Sequence, residues 1–91
     1  MPSLPEPPRA KLLADLRTFV AQWFRDGQED GLLDDTPLVT SGIVDSAGVL
    51  EVIDFVERQF GVAISDADVS LRNCNTLAAW ADLVAIRLRS R

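Results

Sequence analysis

The chain has 91 residues, with 14 Asp and Glu against nine Lys and Arg, no His, and 47% hydrophobic side chains, which describes one small acidic domain with a core rather than a disordered chain. A net charge of -5 excludes nucleic acid as the main partner, because phosphate binding is carried by Lys and Arg, and the missing His removes the usual general base at neutral pH and the commonest metal ligand. Cys74 is the single cysteine, so no intrachain disulfide forms and a cytoplasmic location is expected.

The segment from Met1 to Pro8 has prolines at 2, 5, 7 and 8 and no apolar run. It is neither a signal peptide nor a membrane anchor, and reads as a flexible lead-in to one domain over residues 9 to 91. From Arg9 to Arg25, the apolar residues Leu12, Leu16, Phe19, Val20 and Trp23 recur at helical spacing, with Pro8 suited to the first turn and Gly27 to the end. Residues 27 to 44 are rich in Asp, Gly, Thr and Pro and predict a long loop. Loops beyond about 12 to 15 residues are unusual in compact domains unless functional, and the pairs Leu32-Leu33, Leu38-Val39 and Ile43-Val44 predict that this one is pinned to the core.

A second helix is predicted from Ser46 to Phe60, with Asp45 as its N-cap and Gly61 as its stop. Val49, Val52, Ile53, Val56 and Phe60 face inward at spacings that fit a 3.6 period better than a strand's period of two, while Glu51, Asp54, Glu57 and Arg58 face mostly outward. Ser65-Asp66-Ala67-Asp68 caps a short helix ending near Leu71, and Thr76 caps a last helix reaching about Arg89. Trp23 and Trp80 are assigned to packing. The expected fold is all-α: three main helices and one short one, with a long loop between the first two.

The charge is segregated. Residues 26 to 68 hold 11 acids against one base, Arg58, for a net of -10, whereas residues 1 to 25 sum to +2 and residues 69 to 91 to +3. The acidic block encloses the segment Ser41-Gly42-Ile43-Val44-Asp45-Ser46-Ala47-Gly48. A serine in the first turn of a helix, after an Asp cap and a glycine-containing loop, has its hydroxyl near the exposed helix end, where free amides and the positive dipole end suit an anion. Taken alone, Asp45-Ser46 reads more simply as capping. Two enzymatic readings fail. A nucleophile elbow needs glycine two residues before the serine, where Val44 stands, and a base that a chain without His lacks. A calcium loop starting at Asp66 would need Gly and Glu where Leu71 and Leu77 stand.

The ordered set Leu38-Val39-Thr40-Ser41-Gly42-Ile43-Val44-Asp45-Ser46, Val49-Leu50-Glu51-Val52-Ile53-Asp54-Phe55-Val56-Glu57, Phe60-Gly61-Val62 with Ile64 and Asp66, and Asn73-Cys74-Asn75-Thr76-Leu77 strongly resembles the acyl carrier protein family, including its peptidyl and aminoacyl carrier domains. The resemblance covers about Leu12 to Leu88. It implies a four-helix carrier-protein bundle and a 4'-phosphopantetheine arm from coenzyme A, attached to Ser46 by a phosphopantetheinyl transferase with magnesium. The arm would hold an acyl or aminoacyl thioester, and a carrier that only presents its cargo needs no catalytic residues of its own.

The outer face of the second helix, with Glu51, Asp54 and Glu57, and with Asp45, Leu50 and Val49 or Ala47 near its start, is then the expected docking surface for basic patches on the transferase, on an acyl- or aminoacyl-loading ligase and on downstream synthase or transferase enzymes. A solvated face is the simpler reading of the acids alone. Three positions depart from the family pattern. Ala47 replaces a common Leu or Met, Gly48 is expected to open the approach to Ser46, and Cys74 stands where Phe is usual and reads as a small buried hydrophobe. The resemblance also implies a small slot between the helices that shelters a short acyl chain. The chain begins and ends near the domain limits, which reads as a freestanding monomeric carrier in a specialised biosynthetic pathway, with a piece of a larger synthase as the alternative. An unmodified helical adaptor, with Ser46 only a cap, is the runner-up.

Overall fold

A computed structural model describes residues 6–90; of the expected lead-in, residues 1 to 5 lie outside the described residues. Helices α1 (Arg9–Phe24), α2 (Ser46–Phe60), α3 (Leu71–Cys74) and α4 (Leu77–Ser90), with a 3-10 turn at Asp66–Asp68, make up the regular structure, and the described residues contain no strand. The all-α bundle with three long helices is as expected. No helix among the described residues is long and apolar enough to cross a membrane.

The core forms where the apolar stripes of α1, α2 and α4 meet. Leu12, Leu16, Phe19 and Val20 of α1 meet Val52, Val56 and Phe60 of α2 and Leu77, Trp80, Val84 and Leu88 of α4, all buried. Trp80 places its bulk in the centre, and its Nε1 donates to the Cys74 carbonyl at 3.0 Å, so a buried polar atom is satisfied where it would otherwise weaken the core. Cys74 is buried, and that burial pushes its thiol pKa up, as suits a small hydrophobe.

Helices α1 and α2 run antiparallel. Phe19 stacks on Phe55 with ring centroids 4.2 Å apart, and five residues further along α1 the ring of Phe24 reaches Gly48, seven residues earlier in α2. Trp23 does not join the core: it is 58% exposed. By period it belongs with Leu12 and Leu16, but in the last turn of α1 the residue packed against the core is Phe24, and Trp23 beside it is left in solvent.

The loop of residues 27 to 44 is pinned as expected, with one member of each apolar pair fully buried: Leu32, Leu38 and Val44. Its polar ties are also specific. Arg17 donates from Nε to the Leu32 carbonyl at 2.9 Å and pairs with Asp34. Asn75, just before α4, accepts on Oδ1 from the amides of Val39 at 2.9 Å and Thr40 at 3.1 Å, and its carbonyl accepts from Leu38 at 2.6 Å. The Ala78 amide donates back to the Asp34 carbonyl at 3.0 Å.

One expected element divides in two. Rather than a single short helix from Ser65 to Leu71, Ser65 caps the 3-10 turn and Ser70 caps α3, with the Asn73 amide donating to Ser70 Oγ at 3.2 Å. Asp68 explains the break. Its side chain is turned inward to accept from the Ser65 amide at 3.0 Å and to pair with Arg87 of α4 through Nε at 3.0 Å and through Nη2. The Arg87 guanidinium and then the Ser65 amide hold the Asp68 carboxyl down at about 2, below the usual 3.8, because both stabilise the charged form.

Candidate functional site

The site is the junction of the pinned loop with α2. The Ser41 hydroxyl donates to the Pro37 carbonyl, the Gly42 amide donates to Val39 at 3.0 Å, and the Val44 amide donates to Leu38 at 2.9 Å. With Leu38 and Val44 buried, this compact turn delivers the next residue, Asp45, in an extended conformation at the helix start. Asp45 Oδ1 accepts from the Gly48 amide at 2.7 Å, which fills one of the vacant first-turn positions.

Ser46 is the first residue of α2 and is exposed. No hydrogen bond within the described residues engages its hydroxyl, and the amides of Ser46 and Ala47 have no intrahelical partner because they precede the first helical bond, from Val49 to Asp45. An attached phosphate would meet outward-facing amides and the positive dipole end. The exposed hydroxyl therefore fits a phosphodiester-linked group.

Around it, Ala47, Leu50, Glu51 and Asp54 are exposed, Leu50 at 66%. Asp54 pairs with Arg58 one turn on, at 2.8 Å. Val49 is half-buried against the core. Glu57 is half-buried as well, and its carboxylate accepts from the Ile64 amide at 2.9 Å, so it anchors the chain after α2. Beyond Phe60, Gly61 turns the chain with φ 67, and its amide donates to Glu57 at 3.0 Å, a conformation that glycine adopts without strain.

Gly48 corrects an expectation. It does not open the approach to Ser46, because it is buried under Phe24: a Cβ at this position would stand 2.7 Å from Cε1 and 3.0 Å from Cζ of that ring, and 3.1 Å from Asp45 Oδ1. The missing side chain is the space into which α1 packs.

The family model for the phosphopantetheine attachment site matches residues 14–84. The chain belongs to the acyl carrier protein family. The "Probable acyl carrier protein PigG" of Serratia sp. (strain ATCC 39006) is 34% identical over 73 residues, which cover 80% of this chain and 84% of that relative. The cofactor of this carrier protein is accordingly 4'-phosphopantetheine. The matched stretch runs from α1 into α4 and contains the loop, Ser46 and all of α2.

Three residues of the site's surroundings escaped sequence reasoning. Phe24 sits at the end of the α1 stripe, where its contact with Gly48 needed the antiparallel register. Asn75 carried a signal in its place before the Thr76 cap, without any indication that it holds the loop. The exposure of Trp23 had no signal in sequence.

Proposed function

We propose that Ser46 is the attachment residue, and that the protein presents an acyl or aminoacyl group to partner enzymes that carry out the chemistry. The observation that supports this is the exposed, unengaged hydroxyl at the first position of α2, held there by the Asp45 cap and the Leu38–Val44 turn. When bound, 4'-phosphopantetheine supplies a terminal thiol that carries the cargo as a thioester. The chain's own part is positional. Asp45 fixes the first turn, the free amides of Ser46 and Ala47 face the phosphate, and the buried loop keeps the serine at one place on the surface.

The exposed outer face of α2 supports docking. Ala47, Leu50, Glu51 and Asp54 form a mixed apolar and acidic patch beside Ser46, suited to a phosphopantetheinyl transferase and to loading and processing enzymes with basic surfaces. Val49 and Glu57 act through the helix's own packing and anchoring.

The test is modification by a broad-specificity phosphopantetheinyl transferase with coenzyme A and magnesium. Wild-type protein gains one phosphopantetheine mass, and Ser46→Ala gains none. A wild-type protein left unmodified by several such transferases would favour an adaptor that keeps the carrier fold with Ser46 as a cap.

A further inference from the structure

Among the described residues, Trp23 is the only aromatic side chain left largely exposed, at 58%. Its place is set by its neighbours on α1. Phe19 is stacked on Phe55, and Phe24 rests on Gly48, so these two α1 residues lie level with residues 55 and 48 of antiparallel α2. By the 1.5 Å rise per residue, Trp23 lies between those levels, at the height of the first turns of α2. Its ring packs against Phe19 with centroids 5.7 Å apart and planes tilted by 42°. It is a supported aromatic surface, and it costs little side-chain freedom to use in binding.

We propose that Trp23 is a recognition residue that extends the docking surface of α2 onto the end of α1, where it receives the basic rim of the enzyme that modifies Ser46. This inference rests on Ser46 being the attachment residue. The occupant follows from charge. Asp45, Glu51 and Asp54 are exposed around the start and outer side of α2, with Arg58 the one base within the acidic block. An enzyme that delivers phosphopantetheine from coenzyme A holds an anionic nucleotide next to Ser46, so its surface there is cationic. Lys and Arg on that rim meet carboxylates on α2 and the face of an indole on α1. Ala47 projects too little to contribute a large apolar contact, and Trp23 supplies one from the neighbouring helix.

The experiment measures initial rates of transfer from coenzyme A, with magnesium and a broad-specificity phosphopantetheinyl transferase, while the concentration of the whole carrier protein is varied. Trp23→Ala raises the KM for the carrier about tenfold, within the range for an aromatic anchor, and leaves kcat within about twofold, a split that a merely structural role does not produce. Trp23→Phe recovers most of the loss. Trp23→Arg, which faces the basic rim with a like charge, is worse than Trp23→Ala and serves as the second variant should the alanine protein unfold. Leu33→Ala, at a loop residue 62% exposed, stays at the wild-type KM.

A KM for Trp23→Ala within twofold of wild type overturns the proposal, as does an equal loss in Leu33→Ala. A concentration-dependent dimer in sedimentation that Trp23→Ala abolishes also overturns it, by giving the patch to a second copy of the chain. If wild-type protein gains no mass, the reading of Ser46 fails and takes this inference with it; if it gains the mass with Trp23 silent, only this inference fails.

Discussion

The edge of the Phe24 ring occupies the volume that a side chain at Gly48 would need, so the last turn of α1 and the first turn of α2 are fitted to each other. Replacing Gly by Ala inside an open helix gains about 1 kcal/mol. At Gly48 the displaced ring cancels or reverses that gain, and in a Phe24→Ala background the gain returns. The four proteins of this cycle, unfolded in urea, are expected to show a coupling of about 1 kcal/mol. Additive effects to within about 0.3 kcal/mol would show that the two helices do not meet here.

Asp45 holds the helix start that presents Ser46, through the Gly48 amide. Asp45→Ala is expected to lower stability by about 1 kcal/mol, while Asp45→Asn, which keeps an acceptor oxygen, loses much less. Chemical denaturation measures both. Equal losses for the two variants would assign the effect of Asp45 to its charge rather than to its cap.

Asn75 ties the loop to the start of α4 with one side-chain oxygen that serves two amides. Asn75→Ala leaves those amides without their partner and is expected to cost about 1–3 kcal/mol. The local sign is more specific: amide hydrogen exchange at Val39 and Thr40 speeds up, whereas exchange within α1 follows only the global loss of stability. Asn75→Asp keeps the acceptor and restores protection. Unchanged exchange at Val39 and Thr40 in the alanine protein would contradict the role given to Asn75.

The Asp68 carboxyl, held at about 2 against the usual 3.8, gives stability that is fully present above the unfolded value and is lost as pH falls through the folded one. Wild-type stability is therefore expected to decline between about pH 4 and pH 2. Asp68→Asn is less stable than wild type at neutral pH, and the gap between the two closes across that same window. Thermal unfolding midpoints at a series of pH values measure the gap. A constant difference down to pH 2 would mean that Arg87 and Ser65 do not stabilise the charged form.

Much of this organisation was legible from residue order. Asp45, the spacing of Val52, Val56 and Phe60, and the Gly61 stop located α2 because cap, period and terminator agree, and α1 and α4 were bounded by similar signals. The loop was legible as pinned because its apolar pairs had nowhere else to go. What failed depended on distant partners. Trp23 fits the α1 stripe by period, yet in that last turn it is the next residue, Phe24, that α2 covers at Gly48, and the direction in which the partner helix lies is not written in the period. Glycine at position 48 shows an absent side chain and gives no sign that Phe24 fills the space. Ser65 and Ser70 are both capping residues, and the choice of two short elements over one followed from the inward turn of Asp68 toward Arg87. Glu57 shares a helix face with acids that remain in solvent and is distinguished only by its bond to the Ile64 amide.

The two tryptophans stand in opposite surroundings: Trp80 is 1% exposed and hydrogen-bonded to Cys74, and Trp23 is mostly in solvent. The protein therefore carries its own pair of optical reporters. Iodide is expected to quench the exposed Trp23 more than the buried Trp80, so one excitation would follow the surface at the end of α1 and the integrity of the interior as separate signals, without any added label.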